Sequence, residues 1–386
     1  MTRLQEKTSR RRFLGDASRT VSIALIGPSL LGACKMENAA TIAVKPDPFD
    51  EALKLMAEIA PLSNHGPMAA EALVELGHED RVIEFAKLYN RYYASSYPVK
   101  TKEVTDSNWK DAIGERTRLA DWVAFFEKQT NKGDWKKVVS LWVPRLAPGY
   151  SAAAAHGVIR TGHAIRSLER AETDVRLQEL GQALGYWAAY FHKLPENNNK
   201  IEVQWPADGA IGTIPMIDQK RVSHTRSIMG KLEVVTEWEE FGSVINMLDL
   251  SPSPEKLISD LTETFAGAYI KHVTKDNCVS MIHSVTGTAM LRSIVPHVAS
   301  DDAKDLIRYA WQTAAAIYSA SGNETVNKVP PATDLKPADL VKRAVASNEV
   351  HAIKFTEACL REYELNRIPV FLIAIDDALG RLGSVG

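Results

Sequence analysis

The sequence has no G-x-G-x-x-G, no P-loop, no G-x-S-x-G elbow, no H-E-x-x-H and no C-x-x-C. A Rossmann dinucleotide site, a phosphate cradle, a serine-hydrolase elbow and a zincin helix are thus left without their fingerprints. A flavin or nicotinamide enzyme of the usual build is not expected. Cysteine is scarce, at three in 386 residues, too few for a disulfide framework. Charge of one sign is missing as well: 46 basic and 48 acidic residues leave a net charge of −2. Basic density appears only at the extreme N-terminus, so the chain lacks the basic patch of a nucleic-acid binder, and no nucleic-acid partner is expected. No sustained apolar–polar alternation marks a sheet, and no repeat of fixed period is present.

What is there begins with an address. Ser9-Arg10-Arg11-Arg12-Phe13-Leu14 matches the twin-arginine export pattern, and an apolar stretch follows over residues 21–31. That stretch is too short for a permanent membrane span. It ends in Leu31-Gly32-Ala33-Cys34, which resembles a lipobox, whose cysteine is acylated and becomes the new N-terminus. Residues 1–34 are therefore expected to be a signal segment and 35–47 a tether. An exported, extracytoplasmic lipoprotein held to the membrane through Cys34 follows. Cys278 and Cys359 lie in apolar, helix-like segments and are expected as buried free thiols.

Residues 48–386 read as one helical domain. Apolar residues recur at helical spacing over 49–76, broken at Asn64-His65-Gly66-Pro67, with Pro67 suited to a first turn. Further helices are predicted over 79–97, 109–128, 135–146, 152–170, 176–192, 234–248, 254–273, 277–298, 302–321, 337–364 and 369–382. Between 195 and 227 the periodicity fails among prolines and glycines, and such long connections often serve as lids or binding loops. The fold class is all-α, a single large multi-helix domain.

The chemistry lies in histidine. His156 and His163 are two helical turns apart, on a face otherwise lined by Ala152, Ala155, Ile159 and Ala164. An unpaired buried polar group costs about 1–3 kcal/mol, so both rings need partners: hydrogen bonds or a metal ion. His65 sits at a loop-to-helix junction, His283 on an apolar helix, and His351 one turn before Lys354 and two before Glu357. Facing helices of bundles build metal sites from such side chains. Seven residues span about 10.5 Å of helix, so His156 and His163 do not both bind one ion. Lys354 is either a snorkelling lysine paired with Glu357 or Glu349, or a buried neutral amine able to form a carbamate. Arg160 is a candidate to stabilise a substrate phenolate or enolate, or else a salt bridge to a neighbouring helix. His78, His192, His224, His272 and His297 are expected at the surface.

Four separated motifs carry a resemblance: Asn64-His65-Gly66-Pro67-Met68, then His156-Gly157-Val158-Ile159-Arg160-Thr161-Gly162-His163, Ile282-His283-Ser284-Val285-Thr286, and Asn348-Glu349-Val350-His351-Ala352-Ile353-Lys354. Together, over roughly residues 50–380, they resemble the questin oxidase-like family of fungal aromatic polyketide pathways and bacterial relatives. The resemblance implies oxidative opening of an anthraquinone ring. It also implies a non-haem iron held by four histidines and a carbamylated lysine, or else NADPH-dependent Baeyer–Villiger-type oxidation. Carried onto this chain, the ligands implied are His65, His283, His351, one of His156 and His163, and modified Lys354. The expected function is an iron oxygenase acting with O2 on an aromatic or quinone-like substrate. Export counts against NADPH, which is not normally available outside the cytoplasm. A non-catalytic lipoprotein binding a hydrophobic ligand is the alternative from another class.

Overall fold

The computed structural model describes residues 46–57, 64–92, 99–131, 133–197, 203–322, 326–331 and 334–383. The expected signal segment, and the tether up to residue 45, lie outside them. Helices of nine residues or more are α1 Pro48–Met56, α2 His65–Glu75, α3 Val82–Tyr92, α4 Leu119–Thr130, α5 Trp135–Leu146, α6 His156–Arg170 and α7 Asp174–Ala189. They continue with α8 Ile228–Thr236, α9 Pro254–His272, α10 Cys278–Ile294, α11 Ser300–Ser321, α12 Pro337–Ser347, α13 Val350–Asn366 and α14 Val370–Leu382. Among the described residues there is no strand, only an isolated bridge between Trp205 and Leu248. The fold is all-α.

Local chemistry sets many of the starts. Asp47, Asp134, Ser227 and Ser253 each accept a backbone N–H at the head of a helix, and Pro48, Pro254 and Pro337 occupy first-turn positions where no N–H is needed. The breaks that periodicity misses fall at left-handed residues. Asn348 (φ 51°) divides the predicted helix 337–364 into α12 and α13, and Gly114 (φ 81°) divides 109–128. The helix predicted from 152 starts at His156, because Ala153, Ala154 and Ala155 form a left-handed turn with φ of 47°, 60° and 67°. The helix predicted over 234–248 is instead the end of α8 followed by a 3-10 turn, Glu239–Asn246. From 203 to 227 only the short helices Ala207–Ala210 and Gln219–Val222 and a 3-10 turn interrupt the irregular connection.

The large apolar core is organised around α10, which together with the turn after it (Cys278–His297) is long and apolar enough to cross a membrane, yet is 89% buried inside the bundle. Glycines allow the closest helix approach elsewhere: a Cβ at Gly181 or Gly185 of α7 would meet the α4 backbone at Glu127 and Val123. A smaller cluster joins α1, α2 and α3 to Val345, Val350 and Ile353. Helices α2 and α13 contribute to both clusters, and the functional site lies along that seam. Cys278 and Cys359 are buried free thiols.

Candidate metal centre

Four helices pack in a closed ring: α2 against α6, α6 against α10, α10 against α13, and α13 against α2. Each contributes one histidine, and the rings contact in the same cyclic order. His65 meets His156 (centroids 4.6 Å), His156 meets His283 (4.5 Å), His283 meets His351 (5.5 Å) and His351 meets His65 (5.0 Å). One nitrogen from each ring falls within 4.8 Å of all the others. His283 is the deepest, 2% exposed, and His351 lies nearest solvent with 16% of its side chain exposed.

The backbone delivers three of the four rings at helix beginnings, with His283 further along α10. His65 is the first residue of α2, directly after left-handed Asn64. His156 opens α6 after the three left-handed alanines. His351 is the second residue of α13, close behind left-handed Asn348. Non-glycine residues in that region carry strain, and such strain persists where the surroundings over-determine it. Around the alanine turn they do: Ser151 donates to the His192 carbonyl (2.6 Å), and Tyr150 donates to the Gly287 carbonyl (2.9 Å).

The hydrogen bonds fix the tautomers. His283 Nδ1 donates to the Val279 carbonyl (2.6 Å), His156 Nδ1 donates to the Ala153 carbonyl, and His351 Nδ1 lies 2.8 Å from Glu349 Oε1. A neutral ring that donates from Nδ1 has only a lone pair on Nε2. Yet His156 Nε2 lies 3.0 Å from His65 Nε2 and 3.1 Å from His283 Nε2. Between His156 and His283 no proton is left to form a hydrogen bond unless a ring is charged. Burial, reinforced by the Lys354 charge, pushes His156 down to about 3, and burial lowers His65 and His283 as well. The two lone pairs that meet at 3.1 Å between His156 and His283, on rings that burial keeps from protonating, are the arrangement that a shared cation would satisfy. Neighbouring nitrogens about 2.1 Å from one shared ion stand about 3 Å apart at a right angle, so the donor set fits a transition-metal ion.

Lys354 is buried one turn after His351, and desolvation pushes its amine down to about 7, against the pull of Glu349. The pairing with Glu357 considered from sequence does not form, because Glu357 takes Arg166 and Arg361. His163 is placed away from the other four. Its Nδ1 lies 2.7 Å from Glu71 Oε2, and Arg166 bridges Glu71 (2.6 and 3.0 Å) and Glu357 (2.5 Å). Burial opposes charge on Glu71, but Arg166 and His163 outweigh it and hold the carboxyl well below the usual range. Arg160 is engaged by Glu179 with two bonds of 2.7 Å and by Gln182 (2.8 Å), the salt bridge to a neighbouring helix that the sequence offered as one of its two readings.

Of the five histidines expected at the surface, only His224 is exposed. His78, His192, His272 and His297 are half-buried, and His192 bonds to Ser151 and Thr236. Two supporting roles escaped the sequence reading: Glu71 as the partner of His163, and Glu349, considered only beside Lys354, as the partner of His351. Glu349 lies two residues before its histidine and that pairing could have been found, whereas Glu71 meets His163 only through the fold.

Residues 62–183 match the family model described as Questin oxidase-like, a span that contains His65, His156, His163 and Arg160. No match is found among curated proteins. The family suggests an oxygenase, and so an oxidoreductase, and the four histidines could hold a metal ion. That match, beside the four motifs, supports membership of the questin oxidase-like family.

Proposed function

We propose that this protein is a non-haem iron oxygenase that oxidises or opens an aromatic or quinone-like ring with dioxygen. One observation carries the reading: four imidazoles, three of them buried and three tied at Nδ1, bring one nitrogen each within 4.8 Å of the others, and the tied His156 and His283 face each other with lone pairs only. His65, His156, His283 and His351 would hold the ion. Iron would supply one-electron chemistry with dioxygen at positions the protein ligands leave open. The apolar wall of α6 and α10 around the rings excludes bulk water, and His351 marks the side nearest solvent. A near-neutral Lys354 amine can add carbon dioxide, forming an N–C bond and releasing one proton, to give a carboxylate-like fifth ligand. A carbon-13 carbamate resonance in protein equilibrated with labelled bicarbonate, absent in Lys354→Ala, tests that step.

The reading predicts near-stoichiometric iron in protein purified without chelator, and dioxygen uptake with an anthraquinone test compound in the absence of NADPH. Protein that holds no iron, manganese or zinc and still binds the compound would instead be a ligand-binding lipoprotein. Dependence of uptake on NADPH would favour the Baeyer–Villiger alternative. We also propose export by the twin-arginine route and anchoring at Cys34, supported by Ser9–Leu14 and Leu31–Cys34. Cys34→Ala should shift the protein from membrane to soluble fraction, and unchanged fractionation would refute the anchor.

A further inference from the structure

The ring supports are unequal. His156 and His283 lean on backbone carbonyls, whereas His351 leans on a carboxylate, Glu349 Oε1 at 2.8 Å. That carboxylate is fixed at both oxygens. Glu349 is the N-cap of α13, and its Oε2 accepts the Ala352 N–H at 2.6 Å. Its own N–H donates to Ser347 Oγ (3.2 Å), and left-handed Asn348 turns the chain between α12 and this cap. A residue that serves as both cap and imidazole partner cannot rotate away without losing two bonds.

The charges make this asymmetry matter. The four imidazoles are neutral and by themselves do nothing to offset a divalent ion, so beside any Lys354 carbamate a nearby carboxylate adds to the charge balance, and in a buried site Coulomb effects are weakly screened. A carboxylate one imidazole away favours the more highly charged, oxidised ion over the reduced one. It also pulls the Nδ1 proton and makes Nε2 a stronger donor, as outer carboxylates do at histidine metal sites. We propose that Glu349 is a positioning residue that makes His351 the strongest donor of the four and lowers the reduction potential of the bound metal. This rests on the metal reading above.

Glu349→Gln removes the charge, keeps the size and leaves a single acceptor for two donors. Iron affinity is measured by chelator competition under anaerobic conditions, and the ferric/ferrous midpoint by spectroelectrochemistry. Affinity should fall about 10–100-fold and the midpoint should move upward. Glu349→Asp retains the charge and a strong N-cap, so its midpoint should return toward wild type. Equal midpoints in Glu349→Gln and wild type, or equal shifts in the Gln and Asp variants, would overturn the proposal. Wild-type protein that binds no iron would instead overturn the metal reading. Thermal melts of the metal-free variants identify any loss of fold.

Discussion

His156 and His163 stand on one helix, both buried, with burial lowering both pKa values, and the protein sets them in opposite environments. Around His156 the neighbours are other imidazoles, and Nε2 faces Nε2. Around His163 they are Glu71, Arg166 and, beyond, Glu357 and Arg361. Three of the four helices that build the histidine layer also build the second one. Helix α2 gives His65 and then Glu71, α6 gives His156 and then His163 with Arg166, and α13 gives His351 and then Glu357. The second layer lies about 9–10.5 Å further along each axis. The lower layer balances its own charges, whereas in the upper one His156 and His283 face each other as two acceptors with no proton between them. Burial alone therefore does not make a histidine a ligand. What faces its second nitrogen does.

The largest expected effect tests that division directly. His283→Ala should abolish metal retention, read by elemental analysis, with the helical circular dichroism intact. His163→Ala should keep the metal and lower the melting temperature. Metal lost equally from both variants at unchanged melting would erase the distinction. Next in size, Glu71→Ala leaves Arg166 short of one buried partner, which costs about 3–5 kcal/mol in denaturant unfolding of the metal-free protein. His156→Ala in the same metal-free state should cost far less, since it removes an unfavourable Nε2–Nε2 approach.

Acid should separate the layers more gently. Burial lowers His65, His156, His283 and His163 in the folded protein. Near pH 6.5 the unfolded chain begins to take up protons that the folded one refuses, so stability is lost as pH falls from about 6.5. Glu71 and Glu357 are also lowered, and their contribution is complete above the unfolded carboxylate value. It is lost as pH falls from about 4.5 through their folded values. Melting of metal-free wild type should therefore decline in two stages. His156→Ala should flatten chiefly the first, and Glu71→Ala chiefly the second. A single decline unaffected by either variant would count against the assignment.

Much of this was legible before the fold. The 3.6-residue period gave the long helices, and the axial spacing of His156 and His163 excluded one shared ion. The choice between them was not legible, because Glu71 lies 92 positions from His163 and only packing joins them. The helix starts were misread where they matter most. A run of alanines around residues 152–155 signals helix by propensity, yet the chain turns left-handed there to present a carbonyl to His156. Likewise Asn348 interrupts an unbroken periodic stretch, and without that break His351 and its cap would not form a helix terminus.

That misread turn yields the smallest effect. Ala154, at φ 60°, is fully buried in the upper layer's entry, and Ala70 is fully buried in α2 one residue before Glu71. Ala154→Gly and Ala70→Gly each delete one buried methyl and add the same glycine freedom to the unfolded chain. Only the first relieves a left-handed L-residue, worth about 1–2 kcal/mol. Only the second gives up a good helix former. Ala70→Gly should therefore lower stability, while Ala154→Gly should leave it nearly unchanged or slightly raised. The difference between the two unfolding free energies reads the strain stored beside His156. Equal losses would mean that the turn stores none, and that the contrast between the layers lies in their side chains alone.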